Sequence, residues 1–255
     1  CSATKFWNEL IALEKNGQII KTRFGTYGLP EKMGLVTGRL QLTSKGFGFV
    51  IPDNKGDRPD VFISPRALNG AMNNDRVMAR VNYDINGKKP EGEIIRIITR
   101  AHNKIVGTFY QSRDYAFVVP DDKNFGTDIF ISKSNWGKAR NNHKVLVKII
   151  KYPERGKNAE GEVIEVLGGI NEAGVDMLSL IKQYVSSAET QLARADREWA
   201  YYKNGHPITK ETQPHYIKSQ RAYAAAKNYA EKALVLLKKT PNSDLERRAN
   251  AIISK

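Results

Sequence analysis

Two short stretches place aromatic side chains at a spacing that suits the stacking of nucleic-acid bases. In Lys45-Gly46-Phe47-Gly48-Phe49-Val50 the two phenylalanines lie two residues apart. Alternate side chains of a β-strand share a face, so both rings point the same way, and Gly46 and Gly48 leave the opposite face nearly bare. A lysine ahead of paired rings forms a platform for unstacked bases, each worth about 1–3 kcal/mol whatever its identity. The companion stretch, Asp60-Val61-Phe62-Ile63-Ser64, adds Phe62. The same rings also suit the core of a β-barrel, and on this stretch alone the two readings weigh equally.

The chain then repeats itself. Phe49, Pro52, Asp53, Asp60, Phe62, Ile63, Ser64 and Asn74 recur 68 residues on as Phe117, Pro120, Asp121, Asp128, Phe130, Ile131, Ser132 and Asn142. A repeat of about 70 residues is too long for a solenoid unit and matches a small closed barrel used twice. Tyr115 and Phe117 keep the alternating aromatics, with Arg113 upstream and Ala116 where Gly48 stood. Lys45, Lys55, Arg58 and Arg66 flank the first face; Arg113, Lys123, Lys133, Lys138 and Arg140 flank the second. Phe125 and Trp136 lie in connecting segments, where Trp136 also suits a plug at one barrel end.

Other chemistries find little support. The carboxylates after Tyr184 (Glu189, Asp196, Glu198, Glu211, Glu231, Asp244 and Glu246) are scattered along helical pattern. A two-metal hydrolytic site needs several converging carboxylates, so solvated helix faces describe these better. His102, His143, His206 and His215 lack metal-ligand spacing. There is neither a P-loop nor a Ser/His/Asp signature. Cys1 is the only cysteine, which excludes a disulfide framework and a cysteine-based zinc site. No apolar run approaches the ~18 residues of a membrane span. These features give an expectation of a cytoplasmic protein, with membrane anchoring through a lipidated Cys1 as the alternative.

The elements that must position the rings follow from pattern. Residues 5–17 read as a helix closed by Gly17, followed by short strands at 19–22 and 26–29. Helix and hairpin suggest the end of a winged-helix unit (1–34). Each repeat offers five strands with Gly and Pro-Asp turns, the arrangement of an OB-type barrel whose second and third strands bind oligonucleotides. The first barrel spans 35–101 and the second 102–170. Residues 171–185 read as a linker. From 186 to 255 the composition turns alanine-rich: Ser186-Ser187-Ala188-Glu189 resembles a capping box, Pro214 opens a second helix and Ser243–Glu246 caps a short third. The expected class is mainly β with α, two tandem barrels ahead of a helical hairpin and a short third helix. The formal charge of +14 is distributed, +2 over 1–37, +4 over 38–100, +3 over 101–170 and +5 over 171–255. Such a balance favours polyanionic partners.

Residues from about Phe6 to Tyr184, roughly 70% of the chain, resemble the N-terminal portion of bacterial ribonuclease R, in the ribonuclease II/R family. The markers are LEKNGQIIKTRFGTYGLPEKMG, GRLQLTSKGFGFVIPD, DRVMARV, EGEVIEVLGG and GVDMLSLIKQY, in family order. The resemblance implies tandem cold-shock domains that lead single-stranded RNA into a catalytic domain degrading it from the 3′ end. It implies Phe47, Phe49 and Phe62 as one stacking face and Tyr115, Phe117 and Phe130 as the other. Lys45, Arg66, Arg113 and Lys133 are the expected phosphate contacts. Cold-shock proteins usually carry a histidine where Ser64 and Ser132 stand, so one stacking contact per face is expected to be missing. Further expected partners are the ribosome or structured RNA, and the oligomeric state is open. The family's catalytic Mg²⁺ cluster is not expected in this chain, which therefore needs no cofactor and is expected to show no nuclease activity. The helical remainder resembles alanine-rich envelope lipoproteins faintly; the alternative function is such a structural protein carrying the barrels as an insertion or fusion.

Overall fold

The computed structural model describes residues 3–53, 58–82, 90–154, 156–203 and 213–255, without the side chains of 201–203, 213–215 and 218. The chain forms two compact units: Cys1–Ala101 with Asp122–Thr127 and Tyr152–Asn158, and His102–Asp121 with Asp128–Lys151 and Ala159–Lys255.

The first unit opens with helix α1 (Ala3–Lys15). Gly17 ends it at φ 69°, with Gln18 N–H donating to Leu13 O and Gly17 N–H to Glu14 O. The hairpin of β1 (Ile20–Lys21) and β2 (Tyr27–Gly28) follows. Five strands then close a barrel: β3 (Leu35–Leu42), β4 (Gly48–Pro52), β5 (Val61–Ile63), β6 (Arg76–Asn82) and β7 (Glu91–Thr99). The order is β3-β4-β5-β7-β6, with β3 back against β6 and β5 parallel to β7. Inward residues of the strands, among them Leu40, Val50, Ile63, Val77 and Ile94, form its core. Arg76 joins α1 to this barrel, bridging Asp53 at 2.6 Å and donating to Asn16 O at 2.9 Å.

The second unit holds the second closed barrel: β8 (Lys104–Gln111), β9 (Tyr115–Pro120), β10 (Ile129–Ser132), β11 (His143–Lys151) and β12 (Ala159–Gly169). Its interior includes Phe109, Val118, Ile129, Ile131, Val145 and Val147.

The repeated residues have physical reasons to repeat. Asn74 and Asn142 both take left-handed φ, 66° and 63°, a conformation that asparagine tolerates. Their predecessors cap the first strands: Asn73 Oδ1 accepts from Leu42 N–H and Asn141 Oδ1 from Gln111 N–H, each at 3.0 Å. Asp53 pairs with Arg76, and Asp121 with Lys144 at 2.5 Å. Gly38 and Gly107 lie under the neighbouring strand, where an added Cβ would stand 2.2 Å from Ile51 O and 2.4 Å from Val119 O.

Beyond the second barrel come α2 (Val175–Lys203), α3 (Gln213–Leu237) and α4 (Ser243–Ile253). Leu178 packs on Val106, Leu146 and Leu167 of the barrel, and Lys182 bridges Glu165 at 2.8 Å. Small side chains on α2 and α3 (Ala188, Ala226, Ala230, Ala233) let the helices approach, with Leu245, Ala249 and Ile252 of α4 completing the core. Two sequence expectations need correction. The expected linker at 171–185 carries the first turns of α2, and Ser186–Glu189 lies inside that helix rather than at its start. The buried series Ile181, Val185, Ala188, Ala195 continues at helical spacing across it, and this packing outweighs the preference of serine for a cap. The expected loop at His206-Pro207 falls outside the described residues.

Candidate nucleic-acid interface

In the first barrel the strand-one turn sets the platform. Gly46 has φ 84°, and Phe47 O accepts from both the N–H and the hydroxyl of Thr43 at 2.9 Å. Phe47 thereby lies in line with β4 although the ladder begins at Gly48. Phe49 is paired across the ladder with Phe62. The three rings gather on one outer face: centroids lie 5.9 Å apart for Phe47–Phe49, 5.6 Å for Phe47–Phe62 and 5.8 Å for Phe49–Phe62. All three are half-buried, outside the barrel core. The opposite face of β4 is not bare space but core: an added Cβ on Gly48 would meet Leu42 Cδ2 at 2.8 Å.

The second barrel arranges its rings differently. Tyr110 and Phe117 stack at 5.5 Å and 25°, and Tyr115 and Phe130 at 6.1 Å and 26°. Phe117 faces both Tyr110 and Phe130 across the ladders. Tyr115 is 49% and Phe130 39% exposed, so bases can reach them directly. Tyr110 is absent from the sequence-derived set. Its signal was the alternation in Gly107–Gln111, where Phe109 is fully buried and Tyr110 takes the outer position. The first barrel has Gln41 there, opposite Phe49, so comparison between the repeats concealed it.

Lys45, Arg66, Arg113 and Lys133 are all exposed, as are Lys123, Lys138 and Arg140. Arg58 pairs with Glu31 at 3.3 Å, which leaves it less available, and Lys55 lies outside the described residues. Trp136 is a barrel plug: its Nε1 donates to Ile131 O at 3.2 Å and its ring meets Phe109 edge-on. Phe125 is buried. Ser64 and Ser132 precede the short 3₁₀ turns Pro65–Ala67 and Lys133–Asn135.

Two closed five-stranded barrels in tandem, each with an aromatic outer face on its central strands, define a tandem OB-barrel protein of the cold-shock class. The family model "Ribonuclease B OB domain" matches residues 38–97, and "Cold shock domain" matches 117–187. Ribonuclease R of Thermotoga maritima is 33% identical over 175 residues, 68% of this chain and 24% of the relative. Ribonuclease R of Acidithiobacillus ferrooxidans is 30% identical over 177 residues, 69% of this chain and 40% of the relative. A solved structure titled Mycoplasma genitalium RNase R in complex with ribose methylated single-stranded RNA shares the fold. Its TM-score is 0.53 at 18% identity, over 70% of this chain and 28% of that one. The barrel region is therefore that of the ribonuclease R family, and the chain spans well under half the length of these curated relatives. Among the described residues no group of three or more His, Cys, Asp or Glu is placed to hold a metal ion, so the Mg²⁺ of the full-length family finds no fitting set there. Among the same residues no helix is long and apolar enough to cross a membrane.

Proposed function

We propose that the two barrels bind single-stranded RNA, as the substrate-guiding portion of a ribonuclease R-type 3′–5′ exoribonuclease. The observation that carries this reading is the clustering of Phe47, Phe49 and Phe62 on one outer face. A second aromatic face built from the repeat adds to it. The relative solved with single-stranded RNA supports RNA as the partner. Rings supply sequence-tolerant stacking while Lys45, Arg66, Arg113 and Lys133 meet phosphates; unpaired strands present both features at once.

The test is equilibrium binding of an unstructured RNA to the chain and to Phe47→Ala/Phe49→Ala. The double variant is expected to lose about 2–6 kcal/mol of binding free energy if both rings stack. Unchanged affinity in a variant whose circular dichroism and thermal unfolding match the parent would sink the reading.

A further inference from the structure

Beside the aromatic face the first unit contains a cavity of about 530 Å³, within the roughly 300–1,000 Å³ typical of small-ligand clefts. Leu42, Leu68 and Met72 give it an apolar floor, and Phe125 closes one side. Its rim carries the exposed cations Arg66 and Lys157, with the carboxylate of Glu154 nearby. Neither cation is held in an ion pair among the described residues.

The wall is built rather than incidental. Asn69 and Gly70 both take left-handed φ, 47° and 79°. A Cβ at Gly70 would stand 2.1 Å from Pro153 O, so only glycine permits that approach. Arg100 locks the same corner: it donates to Gly70 O at 2.8 Å, pairs with Asp75 at 2.9 Å and lies 4.1 Å over the Tyr152 ring. Asp75 also accepts from Met72 and Ala101 N–H.

The cavity adjoins the stacking platform at two points. Gly46 directly precedes Phe47, and Arg66 lies in the turn that leaves the strand of Phe62; both line the cavity. A strand laid on the three rings therefore passes its mouth. We propose that this cavity is a nucleotide subsite: it takes one unpaired base of the bound RNA into its apolar floor, with the adjoining phosphate between Arg66 and Lys157. An apolar floor fits the faces of a base, and two rim cations fit its phosphate. The proposal rests on the RNA-binding reading above and adds a position where the strand leaves the flat face.

The test uses RNA oligomers with a single 4-thiouridine moved one position at a time, photocrosslinked to the whole chain and mapped by mass spectrometry. One register is expected to crosslink to peptides containing 125–127 or 156–158, while neighbouring registers crosslink to 47–49 or 62. Thr127→Trp, filling the mouth from an exposed position, is expected to abolish the first set, keep the second and lower affinity about tenfold. Arg66→Ala/Lys157→Ala is expected to flatten the slope of log affinity against log salt by about 1.4. Crosslinks confined to the aromatic face, with Thr127→Trp folded and binding like the parent, would overturn the subsite while leaving the barrel reading intact. Absence of RNA binding by the parent chain would overturn both.

Discussion

Each ring on the barrel faces serves two ends, because a ring that stacks on a neighbour also offers a face to a base. Phe49 touches Phe47 and Phe62, contacts worth about 0.5–1.5 kcal/mol each, so its truncation weakens fold and binding together. Tyr110 separates the barrels more cleanly. Tyr110→Ala is expected to weaken RNA binding by about 1–3 kcal/mol, whereas Gln41→Ala at the matching place in the first barrel changes it little. Titrations of the two variants side by side check this. Phe47, Phe49, Phe62, Tyr115, Phe117 and Phe130 were legible from period-two spacing, and the structure gathers the first three on one face. Tyr110 was not, since its repeat partner is not aromatic. At Asp75, burial above all raises the pKa, against the lowering effect of its two backbone donors and Arg100. Arg100→Ala leaves that carboxylate buried without its counter-charge. The expected cost is about 2–4 kcal/mol near pH 7. Only the ionised form bears that cost, so the deficit against the parent shrinks as pH falls and Asp75 takes up its proton in the folded chain. Urea unfolding at several pH values measures it.

At the scale of elements, closed barrels and close helices set different tolerances. The strands were readable because alternation and Pro-Asp turns bound them, and they fall within a residue or two of expectation. The start of α2 was misread because Ser-Ser-Ala-Glu carries a local cap signal, while the decisive information is burial of Ile181 and Val185 against other elements. No local motif reports that. The alanine seam gives a prediction: Ala230 is fully buried between helices, so Ala230→Leu is expected to destabilise by about 1–3 kcal/mol through overpacking. Val235→Leu, at a position 60% exposed, serves as the control and leaves the unfolding midpoint unchanged.

For the whole molecule, duplication is the organising fact. A basic excess present in both barrel repeats lets each contact phosphates. Affinity for single-stranded RNA is therefore expected to fall with salt, each neutralised phosphate adding about 0.7 to the slope of log affinity against log salt. The direct measurement is that slope and the affinity at one salt concentration for four chains. They are the parent, Phe47→Ala/Phe49→Ala, Tyr115→Ala/Phe117→Ala, and all four changes combined. A paired RNA track predicts that each double variant loses affinity, that the combined variant loses more than either, and that the salt slope survives the loss of the rings. Binding by the combined variant equal to that of the parent, with the fold intact, would contradict it.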